Sequence, residues 1–202
     1  MQIFLETARL TLRRFTAADE DNLFELNSDP EVMRFLTGGR PTPRDVVRTR
    51  IIPSLLAYYE RFEGFGFWAA EEKATAQFNG WFHFRPPLPD ASPPGWLADG
   101  QLELGYRLRR SAWGKGYATE GSRALIDRGF VESGVQRVVA ETTVDNLGSR
   151  RVLEKSGLTL LGAFPGTGLE AFDDGELDCV EYALTRADWE ASRTGSGSVS
   201  DR

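Results

Sequence analysis

Three groups of residues in this chain have the types and spacing to do chemistry. The first is Trp113-Gly114-Lys115-Gly116-Tyr117-Ala118-Thr119-Glu120, a glycine-bearing turn between a strand-like run at 102–108 and a helix-like run at 119–131. Backbone N–H groups at such a helix start are unpaired and carry partial positive charge, so they can hold a phosphate without a basic side chain. A Walker loop is excluded, because no frame around Lys115 sets four residues between a glycine and Gly-Lys-Ser/Thr. A dinucleotide fingerprint is incomplete: Gly114 and Gly116 supply two glycines, but Thr119 stands where the third belongs. What remains is Trp113-x-x-Gly116-x-Ala118, whose small residues let amides approach a pyrophosphate. Taken alone, the turn reads equally well as a glycine turn with no ligand.

The second group is a pair of carboxylates. Leu102, Leu104, Tyr106 and Leu108 share one face of their strand, which turns Glu103 to the other. Glu141 lies likewise opposite Val138, Ala140 and Thr142. Two carboxylates on neighbouring strands can raise one pKa toward neutrality, where a base for amine chemistry works well. A salt-bridged or solvated strand residue is the plainer reading of either. An α-amine has a pKa near ~8 and a lysine near ~10.4, so deprotonation at pH 7 costs ~1.4 and ~4.6 kcal/mol respectively. The third group is Asn146 and Ser149, an N-cap residue and a hydroxyl in the first turn of the helix it caps.

The elements that must position these groups follow from the pattern along the chain. Residues 9–13 alternate as a half-buried strand. Thr16 starts a helix that Asp29-Pro30 ends, and a second helix spans 44–61 with Pro53 as a kink or restart. Residues 65–70 and 77–84 form an antiparallel hairpin, and the proline-dense stretch 85–95 is a loop. Residues 102–131 and 137–156 are two strand–helix units, which implies a parallel strand pair with a crossover helix. Terminal strands follow at 158–163 and 179–184. The fold class is therefore α+β, a mixed sheet with helices on its faces, not a doubly wound sheet. One domain spans 1–190, and 191–202 is a flexible tail.

Composition removes several alternatives. A net charge of −6 argues against a nucleic-acid footprint, and no apolar run approaches a membrane span. A single cysteine, Cys179, excludes an internal disulfide framework and suits a reducing, cytoplasmic setting. One cysteine and one histidine leave no His/Cys metal cluster. His83, among Trp81, Phe82 and Phe84, reads as a strand histidine with a satisfied hydrogen bond. The aromatic residues Trp68, Trp81, Trp96 and Phe172 are pocket candidates, with core packing the better reading for the strand pair.

Glu103-Leu-Gly-Tyr-Arg-Leu, the 113–120 turn, and Asp145-Asn146-x-x-Ser149-x-x-Val-Leu-Glu-Lys-x-Gly157 together resemble the GNAT acetyltransferase superfamily. The opening Glu6-Thr-x-Arg9-Leu-x-Leu-Arg13 and Phe65-Gly-Phe-Trp68 resemble its Rim-type branch of ribosomal-protein N-terminal acetyltransferases. The resemblance implies acetyl-coenzyme A as co-substrate, an amine acceptor (a peptide N-terminus or a small molecule), and a monomer or homodimer. It implies a splayed parallel strand pair with the pantetheine in the gap, bonded by the backbone of Tyr106, Arg107 and Leu108. The pyrophosphate then lies on residues 113–119, with Asn146 and Ser149 near the cofactor. Trp113 stands where the superfamily commonly has Arg or Gln, so binding there rests on amides. By the same resemblance Glu103 is the favoured base, with Glu141 the other candidate. Leu153 stands where many members have a tyrosine acid, which leaves Ser149 as the donor to the thiolate and Tyr106 or Tyr117 as weaker ones. A domain that keeps this turn but binds acyl-CoA without catalysis is the alternative.

Overall fold

The strands are β1 (Ile3–Glu6), β2 (Leu10–Arg14), β3 (Gly66–Glu72), β4 (Phe78–Arg85), β5 (Gln101–Leu108), β6 (Arg137–Thr143), β7 (Thr159–Thr167) and β8 (Glu176–Thr185). In this computed structural model, which describes residues 2–86, 100–167 and 176–195, they form one sheet in the order β1-β2-β3-β4-β5-β6-β8-β7. All neighbours are antiparallel except β5 and β6. The helices are α1 (Glu20–Ser28), α2 (Pro30–Thr37), α3 (Arg44–Val46), α4 (Ile52–Arg61), α5 (Tyr117–Glu132), α6 (Leu147–Lys155) and α7 (Arg186–Gly195).

Strand alternation sorts side chains into two cores. On one face Leu10, Leu12, Phe82, Phe84, Leu102 and Leu104 pack against Leu125, Ile126 and Phe130 of α5. On the other, Ala69 and Phe78 pack against Leu23, Leu26, Val32 and Leu55 of the N-terminal helices. The expected α+β sheet with helices on both faces is what the chain forms. α5 lies unusually close to the sheet because it presents glycine there. A Cβ on Gly121 would come 2.3 Å from the Phe82 ring, and one on Gly129 would come 2.5 Å from Phe84.

The parallel ladder is short. Only Gln101↔Arg137, Leu102↔Val138 and Glu103↔Val139 are in register, after which the two strands part. The gap that opens is bordered by residues 104–108 of β5 and by β6 from Ala140 onward.

Several local expectations need correction. Asp29-Pro30 ends α1 but also begins α2: Asp29 Oδ1 accepts the Glu31 N–H at 2.9 Å, and Pro30 occupies a first-turn position where its missing N–H costs nothing. The expected restart at Pro53 is found, since Pro53 sits in the first turn of α4, which begins at Ile52. A π turn, Val47–Ile51, precedes it, and the Ile52 N–H reaches back to the Val47 carbonyl. α5 starts at Tyr117 rather than 119. α7 continues to Gly195, into the stretch expected to be a tail. Its start is capped by Thr185, whose Oγ1 accepts the Asp188 N–H at 3.1 Å, and Trp189 Nε1 donates to Asp127 at 2.7 Å. Residues 87–99, 168–175 and 196–202 lie outside the described residues.

Candidate active site

The gap between β5 and β6 is lined by backbone on its edge and by side chains on its two faces. The Arg109 N–H donates to Asn79 O on β4 at 2.8 Å, and Gly100 O accepts from Gln136 ahead of β6 at 2.8 Å. Peptide direction alternates along a strand, so odd residues of β5 bond to β4 and even residues face β6. Beyond the third rung, this leaves the peptide groups of Tyr106 and Leu108 toward the gap. Arg107, expected to offer backbone there, turns its peptide to β4 instead, and its buried guanidinium donates to Asn27 Oδ1 at 2.6 Å. The Leu108 carbonyl is occupied too: the Trp113 indole N–H donates to it at 2.8 Å. Trp113 thus ties the end of β5 to the turn that follows.

That turn is shaped by two left-handed glycines, Gly114 at φ 72° and Gly116 at φ 83°. Such φ values disfavour any residue with a Cβ. Gly116 precedes α5, and the first helical bond is Glu120 N–H to Gly116 O. The amides of Tyr117, Ala118 and Thr119 therefore have no helical acceptor, and the positive end of a 16-residue helix stands behind them. Lys115 is exposed at the tip. Tyr117 is buried, and its hydroxyl donates to Glu72 Oε1, which takes it out of contention as a proton donor in the gap. The residues present fit a thioester donor with a pyrophosphate: open peptide groups along the gap, then a cluster of free amides at its end.

On the α5/α6 face, Asn146 caps α6 by accepting the Ser149 N–H at 3.0 Å. Ser149 Oγ lies 3.0 Å from the Tyr106 hydroxyl, which also donates to the Ser149 carbonyl at 3.2 Å. The contact joins β5 to the helix after β6, across the gap. Burial raises the Tyr106 phenol, partly opposed by Ser149, so the pair stays protonated at neutral pH.

On the opposite face stand Glu103 and Glu141. Arg85 Nη2 lies 2.7 Å from Glu103 Oε2, and His83 Nε2 lies 3.3 Å from Oε1 without an aligned hydrogen. Burial works to raise the Glu103 carboxyl, but His83 and Arg85 more than offset it and hold it below the usual range. His83 itself is lowered by burial, against the opposing pull of Glu103. Its imidazole reaches Glu103 by lying over Gly105, where a Cβ would sit 2.5 Å away.

Glu141 is two residues past the last rung of the parallel ladder, and its carboxylate has no hydrogen bond or ion pair among the described residues. Burial first, then the charges of Glu103 and Glu181, push its carboxyl up to about 7 against the opposing pull of Arg85. The favoured base of the sequence reading is thus committed to partners, while the other candidate is poised near neutrality. His83 and Arg85 were not singled out from sequence as site residues. The signal was present, since the β4–β5 hairpin pairs Arg85 with Glu103 and His83 with Gly105. Of the aromatic pocket candidates, Trp68 is core, stacked on Phe4 at 3.7 Å, and Trp81 is half-buried on the Glu103 face. Trp96 and Phe172 lie outside the described residues.

Comparison with known proteins agrees with this geometry. The family model "Acetyltransferase (GNAT) domain" matches residues 9–159. The FsC-acetyl coenzyme A-N(2)-transacetylase of Aspergillus fumigatus is 33% identical over 191 residues, covering 92% of this chain and 77% of that protein. The solved structure of RimL, a ribosomal L7/L12 alpha-N-protein acetyltransferase in complex with coenzyme A, superposes with TM-score 0.72 at 19% identity, over 91% of this chain and 98% of that one. An aminoglycoside acetyltransferase AAC(6')-Ib in complex with coenzyme A gives TM-score 0.67 at 25% identity, over 91% and 99%. The chain belongs to the GNAT acetyltransferase family. It is an acetyl-CoA-dependent N-acetyltransferase, and no helix among its described residues is long and apolar enough to cross a membrane.

Proposed function

We propose that this enzyme moves the acetyl group directly to the primary amine of a small molecule, with Glu141 taking the amine proton and Ser149 returning one to sulfur. The observation that carries the assignment is Glu141 itself: half-buried where the gap opens, its carboxylate without a hydrogen bond or ion pair among the described residues, and its pKa pushed up to about 7. Acetyl-CoA supplies the activated thioester. The chain's own groups hold and separate the proton traffic. Glu141 and the Tyr106–Ser149 pair lie on opposite faces of the strand gap, so a proton leaves on one side and arrives on the other. Glu103, kept ionised by Arg85 and His83, does not exchange protons but keeps the Glu141 carboxyl high.

An acceptor with a pKa near ~8 needs about one unit of uphill proton transfer to such a base, whereas a lysine-like amine needs over three. A small amine or α-amine therefore suits the site. Similarity at 33% to an N(2)-transacetylase favours the small-molecule acceptor. The opening Glu6–Arg13 segment, and Leu153 in place of a tyrosine with Ser149 left as the donor, support a Rim-type architecture, as does the likeness of fold to RimL. The test is thiol release from acetyl-CoA across a panel of small amines, amino acids, polyamines, aminoglycosides and N-terminal peptides. Turnover confined to peptides would overturn the small-molecule reading.

A further inference from the structure

The opening segment is far from the phosphate turn in sequence yet touches it throughout. Arg9 Nε and Nη2 lie 2.7 and 2.6 Å from Glu120 Oε2. The Arg9 N–H and the Thr7 hydroxyl both donate to Glu120 Oε1, at 2.9 and 2.6 Å. Arg9 Nη1 donates to the Lys115 carbonyl at 2.9 Å, and its guanidinium covers the Tyr117 ring at 4.6 Å. One side chain therefore holds both the tip of the turn and the first turn of α5.

We infer that Arg9 and Glu120 are positioning residues for the donor's pyrophosphate, acting through the backbone of the 113–120 turn. This rests on the reading that the turn holds that pyrophosphate. In a trans peptide the C=O and the next N–H point in opposite directions, and there is no cis bond among the described residues. By fixing the Lys115 carbonyl toward its own guanidinium, Arg9 directs the Gly116 N–H the other way, away from the opening segment. A glycine at φ 83° has no side chain to lock that orientation, so the lock comes from outside the turn. Arg9 has a second effect. Glu120 is a carboxylate in the first turn of the helix, where a bare charge would repel a bound anion. Burial raises its carboxyl, but the bonds from Thr7 and Arg9 hold it below its ordinary value, ionised yet matched by a cation.

The experiment is calorimetric titration of the full chain with coenzyme A and with pantetheine, which lacks the pyrophosphate. Arg9 is about half exposed, so Arg9→Ala should fold, and Arg9→Gln serves if it does not. Either variant should weaken coenzyme A about tenfold, the scale of one charge-assisted contact, and leave pantetheine within twofold. Equal loss for both ligands would mean a general structural role and would overturn the inference. So would an unchanged coenzyme A affinity in a protein whose wild type prefers it to pantetheine. A wild type that binds the two alike would remove the phosphate reading of the turn first, and the positioning role with it.

Discussion

The two ends of the strand gap are built by opposite means. At the end proposed for the phosphates, Gly114, Gly116 and three helix-start amides offer backbone donors, and the Trp113 side chain holds backbone in place. At the end proposed for the acceptor the backbone is ordinary strand, and the titratable groups are Glu103, Glu141, His83 and Arg85, brought together from three strands. Backbone amides have one charge state at every pH, so the donors they offer in the first region do not titrate. The second is a set of mutually dependent charges, and altering any one retunes the others. A cofactor common to a whole family suits the first design, and an acceptor that differs between members suits the second.

This contrast is broken most severely by removing the acceptor end's proton site. Glu141→Gln should lower kcat/KM by ~10²–10³-fold, the usual scale for a general base, while coenzyme A affinity stays within twofold. The rising limb of the pH–rate profile near 7 should vanish with it. A retained limb would show that another group carries the proton. At the phosphate end, Gly116→Ala forces a Cβ into a left-handed conformation at a cost of ~1–2 kcal/mol. Coenzyme A binding should weaken about tenfold while kcat at saturating donor is preserved, the reverse of the Glu141 signature.

A third test separates the two carboxylates. Glu103→Gln removes a charge that raises Glu141 and frees Arg85, which lowers it, so the limb should move below 7 with only a few-fold change in maximal rate. An upward move would contradict the assignment. The smallest effect concerns stability. A carboxyl at about 7 in the folded chain and 4.5 when unfolded keeps its proton longer when folded. Below 4.5 both states are protonated and the residue is neutral to stability. As pH rises through 4.5 toward 7 the unfolded state is increasingly favoured, by up to ~2 kcal/mol after allowance for solvent screening. Thermal melts should find Glu141→Gln more stable than wild type at pH 8 and equal to it at pH 4.

The same contrast explains what could be read from sequence. The turn was legible because its ingredients are contiguous: glycines, a following helix and a preceding strand lie within residues 102–132. Asn146 as a cap was legible for the same reason. Which carboxylate is free was not, because Glu103 is claimed by Arg85 and His83 from another strand, and the claim depends on hairpin register and on a glycine at 105. The direction of the Arg107 peptide likewise needed the pairing of β4 with β5. α2 was hidden by reading Pro30 only as a terminator, when proline also suits a first turn. α7 was hidden by a Gly/Ser-rich ending, although Thr185-x-x-Asp188 is a helix-start signature.

The brevity of the β5–β6 ladder has a mechanical consequence. Three rungs join a leaf of five strands to a leaf of three, so at this seam the sheet is stapled rather than sewn. Any molecule that fills the opening and bonds to the edges of both leaves acts as a removable strand. Occupancy of the gap and rigidity of the seam are then one quantity seen from two sides, and amides bordering it should be among the slowest to exchange when filled and the first to loosen when empty.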